Sequence, residues 1–97
     1  MTVHLDEKSV IEAILDITGK VIEKPTVEKI CNSNYRFLYK DGTVAFELSY
    51  KLFSNGDDAV YFTRHVIDIS SLQDIASAYD NKYKPKRAWI FSPSQNT

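Results

Sequence analysis

The sequence predicts an α+β domain: a three- or four-stranded, mainly antiparallel sheet in the order α-βββ-α-β, with two helices packed on one face. Three observations carry this. Apolar residues recur at helical spacing near each end of the chain. The centre alternates apolar and polar residues with a period of two. Asp41-Gly42 and Asn55-Gly56, pairs that favour tight hairpin turns, interrupt that alternation.

In the first segment Asp6 is suited to cap a helix, because its carboxylate accepts from free N–H groups of the first turn. Val10, Ile11, Ala13, Ile14, Leu15 and Ile17 form one apolar stripe, and Gly19 supplies a left-handed residue to end it. Between 21 and 33 the pattern is weaker. It allows a short strand at Val21-Ile22, then a short helix over 26–32 begun by Pro25, with Val27, Ile30 and Cys31 inward.

Tyr35, Phe37 and Tyr39 then alternate with Arg36, Leu38 and Lys40, and Val44, Phe46, Leu48, Tyr50 and Leu52 alternate beyond Asp41-Gly42. A two-residue type I′ turn there pairs Tyr39 with Val44, Phe37 with Phe46 and Tyr35 with Leu48 on one face, and Arg36 with Glu47 on the other. The same turn at Asn55-Gly56 pairs Tyr50 with Tyr61, Phe46 with His65, Val44 with Ile67 and Glu47 with Arg64, while a longer loop through Asp57-Asp58 shifts that register. Ser70 or Ser71 caps the second helix, with Asp74 in its first turn and Leu72, Ile75, Ala76 and Tyr79 inward. It stops before Pro85. A final strand runs over 86–92, and the polar tail 92–97 is expected to fray.

Composition narrows the function. The chain has 97 residues, enough for one core and too few for two. Apolar residues make up 43% and the net charge is −1, which excludes a disordered chain. One cysteine makes no internal disulfide, and the N-terminus lacks the basic and apolar regions of a signal peptide, so a cytoplasmic protein is expected. The charge is unevenly spread: 10 acids against 7 bases over residues 1–60, and 3 against 5 over 61–97.

No phosphate-binding glycine loop, nucleophile elbow, zinc-ligand or C-x-x-C motif is present, so no cofactor is implied. His65 is expected to pack against Phe46 with its ring N–H on a backbone carbonyl, since an odd spacing sets it opposite Asp68 in a strand. His4 falls in the N-terminal tail. Asp57-Asp58 lacks the spacing of a calcium loop and fits an acidic solvated turn. Glu47 is explained by cross-strand ion pairing to Arg36 and Arg64.

Two features remain. On the predicted register the second sheet face mixes Leu38, Ala45, Val60, Phe62 and Val66 with Arg36, Glu47 and Arg64, a composition that suits a protein interface unless the 20–33 segment covers it. The segment Lys82, Tyr83, Lys84, Lys86, Arg87 and Trp89 joins cations to rings, which suits single-stranded nucleic acid. It equally suits a helix end and a guarded strand edge. The expected function is therefore a small non-catalytic protein-binding module: an inhibitor, an immunity or regulatory protein, or a homodimer through the sheet. A nucleic-acid-binding module using 82–89 is the alternative.

Overall fold

Helix α1 (Glu7–Thr18) begins where Asp6 caps it, the Asp6 carboxylate accepting from the Ser9 N–H at 2.9 Å. That bond holds the Asp6 carboxyl below its usual range. The apolar stripe is buried as expected, except that Leu15 is half-buried. Gly19 does not turn left-handed: its φ is −62, and the chain leaves the helix by further tight turns through Ile22. The computed structural model describes residues 6–83 and 87–91. His4, Lys84, Lys86 and the tail 92–97 lie outside the described residues.

The rest of the chain is β1 (Thr26–Cys31), β2 (Asn34–Leu38), β3 (Val44–Leu52), β4 (Asp58–His65), α2 (Ile69–Tyr83) and β5 (Arg87–Phe91). The five strands form one mixed sheet in the order β1-β2-β3-β4-β5, antiparallel except for β5, which runs parallel to β4. A parallel neighbour needs a crossover connection, and α2 supplies it. The architecture is α+β with one strand more than expected.

The additional strand is β1, which replaces the short helix expected over 26–32. Thr26, Val27 and Ile30 are β-branched, and Pro25 stands before the strand, a position an edge tolerates. Ile30 and Cys31, expected inward, are exposed. Asn32-Ser33 closes this hairpin with Ser33 at φ 60. The Glu7 carboxylate fastens the turn to α1, accepting from the Ser33 hydroxyl at 2.9 Å and from the Tyr35 hydroxyl.

The other two hairpins share a different turn from the one the Gly pairs suggest. The Tyr39 N–H donates to Thr43 and the Gly42 N–H to Tyr39; likewise Phe53 donates to Asp57 and Gly56 to Phe53. Each loop therefore holds three residues, with glycine left-handed at φ 90 and φ 92. One extra loop residue shifts the register by one, and a bulge in each hairpin shifts it back. Leu38 pairs Val44, but beyond a bulge at Ala45 the pairs are Phe37–Phe46, Arg36–Glu47 and Tyr35–Leu48, as predicted. Between β3 and β4 the shifted register holds from Leu52–Asp58 to Leu48–Phe62, so Tyr50 meets Val60 rather than Tyr61. Past the bulge, Glu47–Arg64 and Phe46–His65 pair as predicted.

This offset decides the faces. Val60 and Phe62 point to the helices and are fully buried, and Ala45 is drawn into the core by its bulge. Tyr61 and Val44, expected in the core, point the other way. Phe37 stacks on Phe46 at 4.6 Å, and Phe62 lies 5.7 Å from Phe46 and 5.0 Å from Phe91. Both helices cover this aromatic side in a single core. Helix α2 starts at Ile69, one residue before the expected serines, with the Asp68 carbonyl receiving the first N–H groups. Asp74 therefore falls outside its first turn, while Leu72, Ile75, Ala76 and Tyr79 are buried as expected. No helix among the described residues is long and apolar enough to cross a membrane.

Candidate functional site

Both helices occupy one side of the sheet, so the residues that point away from them form an open face. The segment 20–33 does not cover it, because residues 26–31 extend the sheet instead. Across the middle of that face runs a row of charges, one from each of four adjacent strands: Glu28, Arg36, Glu47 and Arg64. Glu28 accepts from Arg36 Nη1 at 3.2 Å. Glu47 Oε2 accepts from Arg36 Nε at 3.1 Å and from Arg64 Nη1 at 3.2 Å. The Glu47 side chain is 17% exposed and Arg36 35%, while Arg64 and Glu28 are half exposed. The Glu47 bond holds the Arg36 guanidinium above its usual range. Singly, such exposed pairs contribute about 0–1 kcal/mol each. As a row they set four charges of alternating sign across the strands.

Of the residues the sequence assigned to this interface, Arg36, Glu47 and Arg64 come together. Leu38 is half-buried at one end of the face beside Val44, and Val66 is exposed just beyond β4. Val60 and Phe62 belong to the core, because the three-residue turn shifts β4 by one residue against β3. The face gains Asn34, Ser49 and Tyr61, which pair across β2–β3–β4, and Ile90, which pairs with Tyr61 from the edge strand and is 38% exposed. It also gains Glu28, which lies on β1 where the sequence pattern suggests a short helix.

The basic segment has other commitments. Arg87 grips Asp58 with a two-pronged contact, Nε to Oδ1 at 2.8 Å and Nη2 to Oδ2 at 2.7 Å, and the two side chains are 4% and 13% exposed. Asp58 is thus a mostly buried partner and not part of a solvated turn. Tyr50 donates its hydroxyl to Asp58 at 2.8 Å. The guanidinium sits 4.5 Å from the Tyr79 ring centre and 5.5 Å from that of Trp89. Burial disfavours the Arg87 charge, but Asp58 and Tyr79 outweigh it and hold the group above its usual range. Trp89 stacks on Phe62 and donates its ring N–H to Asp80 at 2.9 Å. Tyr83 packs on Tyr79 at 4.7 Å, and Lys82 lies 3.9 Å from Asp16. Neither Arg87 nor Trp89 is presented to a nucleic acid, which leaves that reading with Lys82, the half-buried Tyr83, and Lys84 and Lys86 outside the described residues.

His65 packs opposite Phe46 with Nδ1 3.1 Å from the Ile67 carbonyl, as expected. A groove of about 360 Å³ between α1 and the sheet is lined by Lys8, Ile11, Glu12, Val27, Lys29 and Tyr35. The Tyr35 hydroxyl beside it is already bound to Glu7. Among the described residues no three His, Cys, Asp or Glu side chains converge as metal ligands. Compared with protein families, curated proteins and solved structures, the chain matches none.

The buried phenols give a pH prediction. Burial, reinforced by Glu7, pushes Tyr35 from 10.0 up to about 12. Burial and Asp58 push Tyr50 up as well. The unfolded chain then loses these protons first, so stability is full below pH ~10 and falls as pH rises toward ~12. Urea midpoints measured through that window are expected to drop in the wild type and to drop less in Tyr35→Phe and Tyr50→Phe. A wild-type midpoint that stays level between those two values would refute the assignment.

Proposed function

We propose that this chain is a binding protein that docks another protein chain on its open sheet face. The observation that carries this reading is the ordered row Glu28–Arg36–Glu47–Arg64, laid across a face that no helix among the described residues covers. Charges fixed in alternation select a partner by sign and position, while Leu38, Val44, Tyr61 and Ile90 supply apolar contact on either side of the row. A chain of 97 residues with a preformed face of this kind fits a small inhibitor, immunity or regulatory protein.

Charge reversal tests the face. Arg64 is half exposed, so Arg64→Glu alters the row without disturbing the core. A partner held by the wild type, and by a control reversal at the exposed Lys20 behind the sheet, is expected to bind Arg64→Glu at least about tenfold more weakly, equivalent to ~1.4 kcal/mol. Equal binding to all three chains would remove this face from the reading.

A further inference from the structure

We propose that the occupant of the open face is a second copy of this chain, related to the first by a two-fold axis that runs along the strands between β2 and β3. The inference rests on the open face being the binding surface, and it follows from the symmetry of the charges. Read from β1 to β4, the row is negative, positive, negative, positive. Reversed end for end, every sign changes. Two sheets meeting face to face about an axis parallel to their strands present their rows in opposite order. Glu28 then faces Arg64 of the second copy, and Arg36 faces its Glu47, so all four contacts join opposite charges.

The flanking rows obey the same operation. Leu38 and Val44 are cross-strand partners on β2 and β3, so the axis between them sets Leu38 over Val44 of the second copy, apolar on apolar. Asn34 and Ser49 are partners on the other side of the charged row, and the axis sets amide over hydroxyl. A two-fold axis perpendicular to the strands does the opposite, laying Glu28 on Glu28 and Arg36 on Arg36, like charge on like charge. The favoured axis also gives aligned packing, with strands of the two sheets within ~30° of one another, as sandwiched sheets require. A two-fold contact closes on itself, so association stops at the dimer.

Size places the contact among the small interfaces. Four overlapping strands ~4.8 Å apart, with five to nine residues each at ~3.3 Å, present a face on the order of 450 Å² per copy. Two such faces bury on the order of 900 Å², just under the ~1,000 Å² that stable interfaces exceed, so the dimer is expected to be weak and reversible.

The test uses charge exchange, followed by sedimentation across the micromolar range. The wild type is expected to move from 11.1 kDa toward twice that mass as concentration rises. Arg64→Glu places a carboxylate opposite Glu28 of the second copy at both ends of the row, and Glu28→Arg places two cations opposite Arg64. Each variant alone is expected to associate at least about tenfold more weakly. Mixed in equal amounts they regain four opposite-charge contacts, and the heterodimer is expected to return to near wild-type strength. Restoration in the mixture also shows that both variants are folded. A wild type that stays at 11.1 kDa overturns the proposal, as does a dimer that survives in both variants or a mixture that stays monomeric. A monomeric wild type whose captured partner is still lost with Arg64→Glu removes only the second copy. A partner indifferent to Arg64→Glu removes the binding face itself.

Discussion

Replacing Asp58 with alanine is expected to cost about 3–5 kcal/mol, because it removes one side of a buried ion pair and leaves the other charge in place. The Arg87 side chain is 4% exposed and lies beneath Tyr79 and Trp89, so its guanidinium has little access to water when Asp58 is lost. The Tyr50 hydroxyl loses its acceptor in the same step. Against a total stability of ~5–15 kcal/mol for a domain of this kind, the loss is a large fraction of the whole. Urea unfolding measures it directly. The double variant Asp58→Asn with Arg87→Met removes both charges at nearly unchanged volume, leaves Tyr50 an acceptor, and is expected to recover most of the loss. Glu28→Ala, at the exposed end of the open row, is expected to stay within about 1 kcal/mol of wild type. If Asp58→Ala and Glu28→Ala cost the same, the Asp58–Arg87 pair is not the buried anchor of β5.

The contrast between these ion pairs shows what was legible in the sequence. Arg36, Glu47 and Arg64 were readable because they sit on consecutive hairpin strands, where turn position alone predicts pairing. That prediction survived an incorrect turn length, since each bulge cancels the extra loop residue before the charged row is reached. Asp58 and Arg87 are 29 positions apart and meet through a parallel crossover, which no turn arithmetic reaches. Glu28 was hidden for a different reason. Its strand ends in Asn32-Ser33, a turn without glycine, and its apolar residues are too sparse to separate an edge strand from a short helix. Helices α1 and α2 were readable because a helical stripe depends on spacing within one segment. A strand's face depends on its neighbour's register, and a one-residue slip reverses it.

Phe62 and Tyr61 turn that sensitivity into a measurement. A two-residue turn at Asn55-Gly56 places Tyr61 in the core and Phe62 on the open face. The three-residue turn places Phe62 at the centre of the aromatic core, with ring centres 5.7 Å from Phe46, 5.0 Å from Phe91 and 6.0 Å from Trp89. It is 0% exposed, so truncation leaves a cavity bounded by three rings. Phe62→Ala is expected to cost about 3–5 kcal/mol. Tyr61→Ala removes a half-buried ring from the open face and is expected to cost about 1 kcal/mol or less in the monomer. Tyr61 pairs with Ser49 and Ile90 beside the charged row, so its loss is expected to weaken docking while leaving the fold intact. Denaturation read against binding separates the two effects: Phe62 is expected to move the unfolding midpoint and Tyr61 the affinity. The reverse ranking in stability would mean that β4 pairs with β3 through the shorter turn, with Phe62 on the binding face.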